Sequence, residues 1–376
     1  MISPCGFPTF PYTMTPNQSP VLQRPPAEVL YGEELARLRA ADRLPRPPGW
    51  QLSMPAVRRF ILGEGEAAAK IVCAPGLIER ALVTLASNRA LLLVGEPGTA
   101  KSLLSELLAA AISGCSTLTI QGSAATTEDQ IKYGWNYALL LNEGPSPQAL
   151  VPSPLYRAMQ AGQLVRFEEI TRCPPEVQDG LLSILSERLL MVPELSGEGG
   201  TLFAAPGFNL IATANTRDRG VNEMSAALKR RFSFETLFPI RDYEQEFELV
   251  RAEVGRLLAR DQVPVLPPDE VLEVLVTVFR ELRDGVGRDG AAGERLSTVV
   301  STAEAVSVAY SVALRGYYLR GDGGEPGDIV EALAGAAAKD NAEDGKKLRR
   351  YMEHRAGKRQ GEHWQAFYAA RHRLPE

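Results

Sequence analysis

The sequence is poor in the side chains that most often bind metal ions. Its 376 residues include four cysteines and three histidines. The cysteines show no CxxC spacing, which excludes a zinc site or a disulfide framework and favours reduced thiols in the cytoplasm. The histidines, His354, His363 and His372, all lie near the end of the chain. The pattern therefore excludes a histidine-based catalytic site or metal cluster in the main body.

The sequence also lacks long apolar runs and a dominant charge of one sign. No run of about 18 apolar residues occurs, which argues against a membrane-spanning helix. No lysine or arginine precedes Arg24, which argues against a secretory signal. The net charge of −5 argues against a chain-wide surface for nucleic acid. These absences predict a globular protein with a cytoplasmic location.

Proline is distributed unevenly along the chain. Of the 27 prolines, 11 precede residue 61. This density removes backbone donors and predicts an extended N-terminal extension over 1–60, with one short helix at 27–41. Two interpretations of the extension stay open: a mobile tail, and an arm that docks on a neighbouring subunit.

Beyond the extension, the hydrophobic pattern changes twice. Over 61–240, short apolar runs such as 90–94 and 208–213 alternate with helical stretches, which predicts a doubly wound α/β core with a parallel sheet. Over 241–340 helical patterns dominate and predict an all-α domain. The remaining residues, 341–376, carry nine Lys or Arg against five Asp or Glu and form a basic C-terminal tail.

A glycine-rich loop stands between a predicted strand and a predicted helix. Its residues are Gly95, Glu96, Pro97, Gly98, Thr99, Ala100, Lys101 and Ser102. Glycines let backbone N–H groups face phosphates, and the helix N-terminus adds partial positive charge. Lys101 is the candidate for the β- and γ-phosphates and Ser102 for Mg²⁺, although the usual pattern has Gly at position 100. The alternative is a glycine-rich turn without a ligand.

Two carboxylates, Glu168 and Glu169, stand at the end of the predicted strand within 163–170. In a nucleotide hydrolase, one acid at this place holds Mg²⁺ through water, and the next polarises the attacking water. By order, Glu168 is predicted as the metal-side acid and Glu169 as the base. The alternative is a pair of acids on a solvated surface.

Two further elements belong to the predicted site. Asn215 follows the apolar run 208–213, at a strand end where open α/β sheets bind ligands, and can orient the attacking water. Capping of the next turn is the alternative. Arg230 and Arg231 precede Phe232 and can stabilise phosphoryl charge in an adjacent subunit, or form a solvated basic face.

The order of these elements resembles AAA+ ATPases, in particular the MoxR branch with its CbbQ/NorQ-like and dynein-related relatives. Three stretches carry the resemblance: 95–102, 168–187 and 212–232. The resemblance implies a P-loop NTPase AAA+ core, in which helices flank a parallel sheet, followed by an α-helical lid. The site residues that it implies are 95–102 for ATP, Ser102 and Glu168 for Mg²⁺, and Glu169, Asn215 and Arg231, with Arg230 second, for catalysis.

Two residues depart from the family pattern. Glu168 is one methylene longer than the usual Asp, which predicts altered Mg²⁺ placement and slower turnover. Ala303 stands where the sensor-2 arginine is usual, and Arg295 is the candidate replacement. The two inserts of the family correspond here to 133–151 and 190–207, which the resemblance places at the pore of a ring.

The resemblance implies an ATP-hydrolysing ring ATPase, most simply a homo-hexamer, because an arginine finger works only when it is supplied in trans. It also implies chaperone-like remodelling or assembly of a protein client, commonly with a von Willebrand A-domain partner. One alternative is a nucleic-acid-associated NTPase of restriction or helicase type, against which the acidic balance argues. The other is a slow nucleotide-gated scaffold, prompted by Glu168 and Ala303.

Two patterns outside the predicted site need an explanation. Trp364, Phe367 and Tyr368 follow helical spacing among basic residues, which favours packing on the same domain or a partner over nucleic-acid binding. Arg166 interrupts an apolar strand. An edge position in the sheet is the simplest explanation for this charge.

Overall fold

The computed structural model describes residues 22–63, 69–195, 197–215, 222–297, 300–336 and 342–374. Contacts along the chain divide it into two compact units. The first comprises the residues up to Glu96 together with Ala100–Leu237, and the second comprises Pro97–Thr99 and Phe238–Glu376. Each unit has a hydrophobic core of its own.

The first unit is built around a parallel sheet. The described strands are β1 (Ala90–Gly95), β2 (Thr119–Gln121), β3 (Tyr133–Trp135), β4 (Leu150–Pro152), β5 (Leu164–Glu168), β6 (Leu189–Met191), β7 (Thr201–Phe203), β8 (Asn209–Asn215) and β9 (Phe232–Leu237). Five of them form the central sheet in the order β2-β5-β8-β1-β9, with every neighbouring pair parallel. Helices provide the crossovers that parallel strands require. The predicted parallel sheet flanked by helices is confirmed.

The helices of the first unit are mostly short. They are α1 (Ala27–Leu30), α2 (Gly32–Ala41), α3 (Met54–Leu62), α4 (Pro75–Ala86), α5 (Lys101–Ser113), α6 (Glu128–Ile131), α7 (Tyr137–Glu143), α8 (Pro154–Ala161), α9 (Pro175–Asp179), α10 (Leu182–Glu187) and α11 (Ala226–Lys229), with 3₁₀ turns at Ile170–Arg172 and Gly197–Gly200. The helix expected over 27–41 is present as α1 and α2. Local sequence sets the ends: Ser53 caps α3, and Gly114 ends α5 at a φ of 68°.

Both faces of the central sheet are covered, as the continuous apolar run of β1 predicts. Leu91 and Leu93 belong to one core, together with Leu104 and Leu108 of α5. Leu92 belongs to the core on the opposite face. Because side chains alternate along a strand, an all-apolar strand is satisfied only when helices pack on both sides.

Residues 22–62 pack on the first unit although they are rich in proline. Leu35 is almost fully buried in the same core as α5. The N–H of Ala27 donates to Oε1 of Glu106, which is itself part of α5. For this part of the predicted extension, the mobile-tail interpretation is therefore wrong. The first 21 residues lie outside the described residues, and the docking arm stays a prediction.

The second unit is built from helices. They are α12 (Tyr243–Arg260), α13 (Asp269–Asp284), α14 (Thr302–Arg320), α15 (Pro326–Ala336), α16 (Ala342–His354) and α17 (Glu362–Ala369), with 3₁₀ turns at Ala356–Lys358 and Ala370–Arg373. Their apolar faces meet in one core that includes Leu275, Phe279 and Val312. At the start of α14, Ser301 and Glu304 form a capping box, which satisfies two backbone donors.

The predicted basic tail, 341–376, contributes to this helical unit. Trp364 and Phe367 are buried in its core. The Tyr368 ring is half-buried, and the Arg371 guanidinium lies 4.1 Å from its centre. The aromatic pattern therefore packs within its own unit, as the sequence favours.

Two small antiparallel sheets lie outside the central sheet. One pairs β3 with β4 and the other pairs β6 with β7. They overlap the two inserts that the family resemblance places at a ring pore, although β4 and β6 each extend one residue beyond them. Several apolar side chains of the inserts are exposed, among them Tyr137, Leu141 and Phe203. Their position at a pore stays a prediction.

Other features bear on the classes considered from the sequence. In the described residues, no helix combines the length and the apolar character needed to cross a bilayer. Within the same residues, no group of three or more His, Cys, Asp or Glu side chains could hold a metal ion. Cys73 and Cys173 are free thiols, as expected, whereas Cys115 is disulfide-bonded, which differs from the expected reduced state.

Candidate functional site

The glycine-rich loop connects the end of β1 to the start of α5. Gly98 has a φ of 77° and Ala100 a φ of 63°, both in the left-handed region. This explains why glycine is usual at position 100, where alanine costs about 1 kcal/mol. The loop leads into the N-terminus of α5, where helix N–H groups without intrahelical partners favour an anion.

Lys101 begins α5 and folds its side chain back onto the loop. Its Nζ donates to the carbonyl oxygens of Gly95 at 3.1 Å and Glu96 at 2.8 Å. The next residue, Ser102, is exposed, and its Oγ donates to Oε2 of Glu168 at 2.7 Å. An ammonium group and a hydroxyl therefore stand at the start of one helix, an arrangement suited to phosphate and a hard divalent cation.

Glu168 ends β5, and three hydroxyl groups donate to its carboxylate. Oε2 accepts from Ser102 at 2.7 Å and from Thr213 at 2.8 Å, and Oε1 accepts from Ser105 at 2.6 Å. The sequence analysis did not identify Ser105 or Thr213 as residues of the site. Their spacing could have identified them, since Ser105 is one helical turn after Ser102 and Thr213 shares a strand face with Asn215.

Arg166 is the cation of this cluster. Its Nη2 lies 2.8 Å from Oε1 of Glu168 and 3.0 Å from the carbonyl oxygen of Ser102. Its Nε donates to Ser105 Oγ at 2.9 Å, and its Nη1 donates to the Ser116 carbonyl oxygen at 3.0 Å. The expected edge position is wrong, because β5 lies between β2 and β8. Arg166 is tolerated inside the sheet because an acid two residues later on the same strand face pairs with it.

These surroundings keep the Glu168 carboxylate ionised. Burial is the largest single influence and by itself raises the pKa of Glu168. Arg166 and the hydroxyls of Ser102, Ser105 and Thr213 together outweigh it, so the pKa lies below the ordinary glutamate value. An ionised carboxylate beside an exposed hydroxyl fits Mg²⁺, which prefers oxygen ligands and keeps several of its own waters.

Glu169, the neighbouring acid, has different partners. Its φ of 55° is in the left-handed region, so the chain turns sharply after the strand. Its N–H donates to Thr213 Oγ1 at 2.9 Å, and its carboxylate forms an ion pair with Arg172 at 2.5 Å. About one third of the Glu169 side chain is exposed, whereas Glu168 is buried. The two acids therefore have the distinct environments that distinct roles require.

Asn215 ends β8 in register with Gly95, the residue at which the loop begins. Together with Thr171 and Phe234 it lines a cavity of about 280 Å³. The strand order places Asn215, Glu168 and the start of the loop at the carboxyl ends of β8, β5 and β1, which are neighbours in the sheet. Ligands bind at this edge of open α/β sheets.

Arg231 lies at the opposite edge of the sheet. It directly precedes Phe232, which pairs with Ala90 at the start of β1, whereas the loop follows Gly95 at the end of that strand. At about 3.3 Å per residue, these two ends of β1 are about 16 Å apart. This separation exceeds the reach of an arginine side chain, so neither Arg231 nor the exposed Arg230 reaches the loop of its own chain.

The second unit contains the two residues considered for the sensor-2 position. Ala303 is exposed in the first turn of α14. Arg295 is exposed in the segment that precedes this helix. The replacement of the usual arginine by Arg295 stays a prediction.

Comparison with known proteins agrees with this geometry. A family model described as the AAA domain of the dynein-related subfamily matches residues 90–232. A second model, described as the YehL-like AAA+ ATPase C-terminal domain, matches residues 244–375. YehL of Escherichia coli (strain K12), described as an uncharacterized protein, is 61% identical over 356 residues, which are 94% of this chain and 98% of that protein. The chain belongs to the YehL-like AAA+ ATPases.

More distant similarities cover parts of this AAA+ chain. The uncharacterized protein SH1500 of Staphylococcus haemolyticus (strain JCSC1435) is 29% identical over 145 residues, which are 39% of this chain and 54% of that protein. A crystal structure of NtrX from Brucella abortus in complex with ATP matches at 13% identity and a TM-score of 0.45, over 66% of this chain and 51% of that chain. The two family models and the similarity to YehL confirm the predicted AAA+ family, and the finer assignment to the MoxR branch stays a prediction.

Proposed function

We propose that this YehL-like AAA+ ATPase binds ATP with Mg²⁺ and hydrolyses it to ADP and phosphate. The observation that carries the proposal is the convergence of Lys101, Ser102 and Glu168 at one edge of the sheet. A phosphate loop, a hydroxyl and an ionised carboxylate are the groups that phosphoryl transfer needs from a protein. The family membership and the dynein-related AAA match over residues 90–232 support the same reaction.

The loop residues, Gly95 to Ser102, would bind the triphosphate. Lys101 exchanges the carbonyl oxygens of Gly95 and Glu96 for oxygens of the β- and γ-phosphates. This exchange is favourable, because hydrogen bonds between two charged groups are stronger than bonds to neutral carbonyls. Binding of the triphosphate therefore requires only that Lys101 change its hydrogen-bond partners, and it requires no rearrangement of the sheet.

Ser102 and Glu168 would hold Mg²⁺, which offsets the negative charge of the phosphates when it is bound. To do so, Ser102 releases its hydrogen bond to Glu168. Arg166, Ser105 and Thr213 still hold the carboxylate after this release. Glu168 therefore keeps its position and its charge, despite being one methylene longer than aspartate.

Glu169 would act as the base, and Asn215 would orient the attacking water. Before it can accept a proton, Glu169 must separate from Arg172. The pair is partly exposed, so its separation costs at most about 1 kcal/mol.

Arg231 would act on the site of an adjacent subunit, with Arg230 as the second candidate. The separation of about 16 Å along β1 supports this arrangement, because the arginine cannot serve its own loop. Each site is then complete only in an assembly, most simply a homo-hexameric ring. We further propose MoxR-type, chaperone-like remodelling of a protein client in the cytoplasm, with a von Willebrand A-domain protein as a partner.

Phosphate release by the wild type and three variants, one of them a control, tests the hydrolysis step. Wild type should hydrolyse ATP at ring-forming concentration, and Lys101→Ala should lose ATP binding. Glu169→Gln should bind ATP but turn over at least about 100-fold more slowly. Lys132→Ala, which removes a lysine outside the cluster, should resemble wild type. Wild type as inactive as Glu169→Gln would overturn hydrolysis as the function.

The second candidate function is a slow nucleotide-gated scaffold. It is favoured by the ion pair that engages Glu169 and by the four donors that surround Glu168. Pull-downs with and without ATP distinguish the two functions. A remodelling ATPase should retain its client most strongly in the Glu169→Gln variant with ATP. Equal retention by wild type and Glu169→Gln would favour the scaffold.

A further inference from the structure

A basic pocket in the second unit has no part in the nucleotide chemistry. It lies where the loop after α13 meets the end of α16 and the start of α17, and its volume is about 700 Å³. This volume is typical of ligand-binding pockets. Its ionisable lining comprises Arg288, His354, Arg355, Lys358 and Arg359, with one carboxylate, Asp289, among the described residues.

Arg355 is held across the loop in a fixed position. Its Nη2 donates to the carbonyl oxygens of Ala291 at 2.6 Å and Ala292 at 2.9 Å, and its Nη1 lies 3.0 Å from Asp289. Gly287 provides the space, because a Cβ at that position would overlap Nη1. A donor fixed in advance loses less conformational entropy when a ligand binds.

Arg359 is fixed as well. Its guanidinium lies 4.3 Å from the centre of the Trp364 ring and 2.5 Å from a carboxylate oxygen of the buried Glu281. Trp364 itself is only 4% exposed, so its ring cannot stack on a base. The pocket therefore lacks the exposed aromatic platform with which proteins bind single-stranded nucleic acid.

Two cations, Lys358 and Arg288, lie at the rim of the pocket, and they differ in their ion pairs. Lys358 is exposed and forms no ion pair with any residue of the described chain. Arg288 has Glu273 at 3.7 Å, with both side chains about half exposed, which makes this pair weak. In a chain of net charge −5, the pocket is a local positive site.

Carboxylates are the anions that these cations already accommodate. Asp289 binds Arg355, and Glu281 binds Arg359, both through direct contacts to the guanidinium groups. We propose that the pocket binds an acidic segment of a partner protein, a short run of Asp and Glu side chains that contacts Lys358 and Arg288. The proposal does not depend on ATP hydrolysis, because no residue that lines the pocket belongs to the candidate nucleotide site.

Fluorescence anisotropy with the full-length protein and a labelled octaglutamate peptide tests this proposal. Wild type should bind the peptide at low salt, and added salt should weaken the complex. Lys358→Glu should weaken binding at least about fivefold, whereas Lys346→Glu, an exposed lysine on α16 outside the pocket, should change it by less than about twofold. Nucleotide binding by both variants serves as the control for folding.

Gly287→Ala provides an independent variant. It moves the flexible end of Arg355 without disturbing a core residue, so peptide binding should weaken while the fold persists. The proposal is wrong if wild type does not bind the peptide, or if the Lys346 and Lys358 variants weaken binding equally. Tighter binding of an octathymidylate strand than of the peptide would identify a nucleic-acid site instead.

Discussion

At the scale of single residues, a buried ion pair governs the candidate nucleotide site. The side chains of Arg166 and Glu168 are only 10% and 7% exposed, and they face the same side of β5. Removing one partner from such a pair leaves a buried charge without compensation. The pair also explains how a glutamate can occupy the aspartate position, because Arg166 and the surrounding hydroxyls hold the longer side chain in place.

Arg166→Met should destabilise the first unit by about 3 kcal/mol, because Glu168 loses its buried counter-ion. Urea unfolding of wild type and variant measures this loss. Arg37→Met, which truncates an exposed arginine on α2, should cost less than about 0.5 kcal/mol. The double variant Arg166→Met/Glu168→Gln should recover at least half of the loss, and strictly additive costs would contradict the coupling.

At the scale of elements, one carboxylate joins three helices of the second unit. Glu246 of α12 accepts from Arg280 at 2.8 Å and from Arg283 at 2.8 and 2.9 Å, both on α13. The hydroxyl of Thr302, the first residue of α14, donates to the same carboxylate at 2.6 Å. Burial alone raises the pKa of Glu246, but these donors outweigh it and leave the pKa below its ordinary value of 4.5.

Glu246→Gln should destabilise the second unit by about 2–4 kcal/mol at pH 7, because two arginines lose their shared counter-ion. The folded-state pKa is lowered, so the stabilisation is present at neutral pH and is lost as pH falls below about 4.5. The difference between variant and wild type should therefore shrink on acidification. Urea unfolding at pH 7 and pH 4 measures it.

Glu248→Gln is the matched control for this prediction. Glu248 lies on the same helix, its side chain is 65% exposed, and its nearest partner Arg251 is 4.0 Å away. An exposed pair at this distance contributes little, so the variant should behave like wild type at both pH values. A Glu246→Gln effect that is independent of pH would show that the charge of Glu246 is not what joins the helices.

The elements themselves were predictable to different degrees. The apolar runs at 90–94 and 208–213 predict β1 and β8, because a strand that is covered on both faces needs apolar side chains on both of them. The aromatic spacing at 364–368 likewise predicts a packed helix. The position of Arg166 was not predictable, since strand order in the sheet depends on contacts between segments distant in sequence.

At the scale of the whole molecule, the sheet separates the two halves of the proposed catalytic machinery. The phosphate loop and the paired acids lie at the carboxyl edge, and Arg231 lies at the amino edge. Under the proposed function, a complete site requires a second subunit that supplies its Arg231. Activity should consequently depend on assembly, and it should fall on dilution below the ring-forming concentration.

Assemblies that mix two inactive variants test whether Arg231 and Glu169 act from different subunits. Arg231→Ala and Glu169→Gln should each be inactive alone, because one lacks the finger and the other lacks the base. An equal mixture should recover about a quarter of wild-type turnover, since about one interface in four pairs an intact base with an intact arginine. Phosphate release after mixing and reassembly measures this recovery.

Arg230→Ala provides the matched comparison for the finger. If Arg231 is the finger, Arg230→Ala should hydrolyse ATP within about threefold of wild type, because Arg230 is an exposed neighbour with no role in the site. Loss of activity in Arg230→Ala with retention in Arg231→Ala would exchange the two assignments. If the mixed assemblies recover no ATPase activity, the proposal that an arginine acts in trans is wrong.

The sequence by itself determined the phosphate loop, the paired acids, the parallel sheet and the AAA+ resemblance. Each of these depends on residues that are close in the chain, where backbone geometry and side-chain alternation act locally. Only the tertiary structure decided that Arg166, Ser105 and Thr213 surround Glu168, and that residues 22–62 pack on the first unit. Those contacts join segments that are distant in the chain, such as Ser105 and Glu168, which are 63 residues apart. They exist because sheet register and helix packing bring α5, β5 and β8 to one edge.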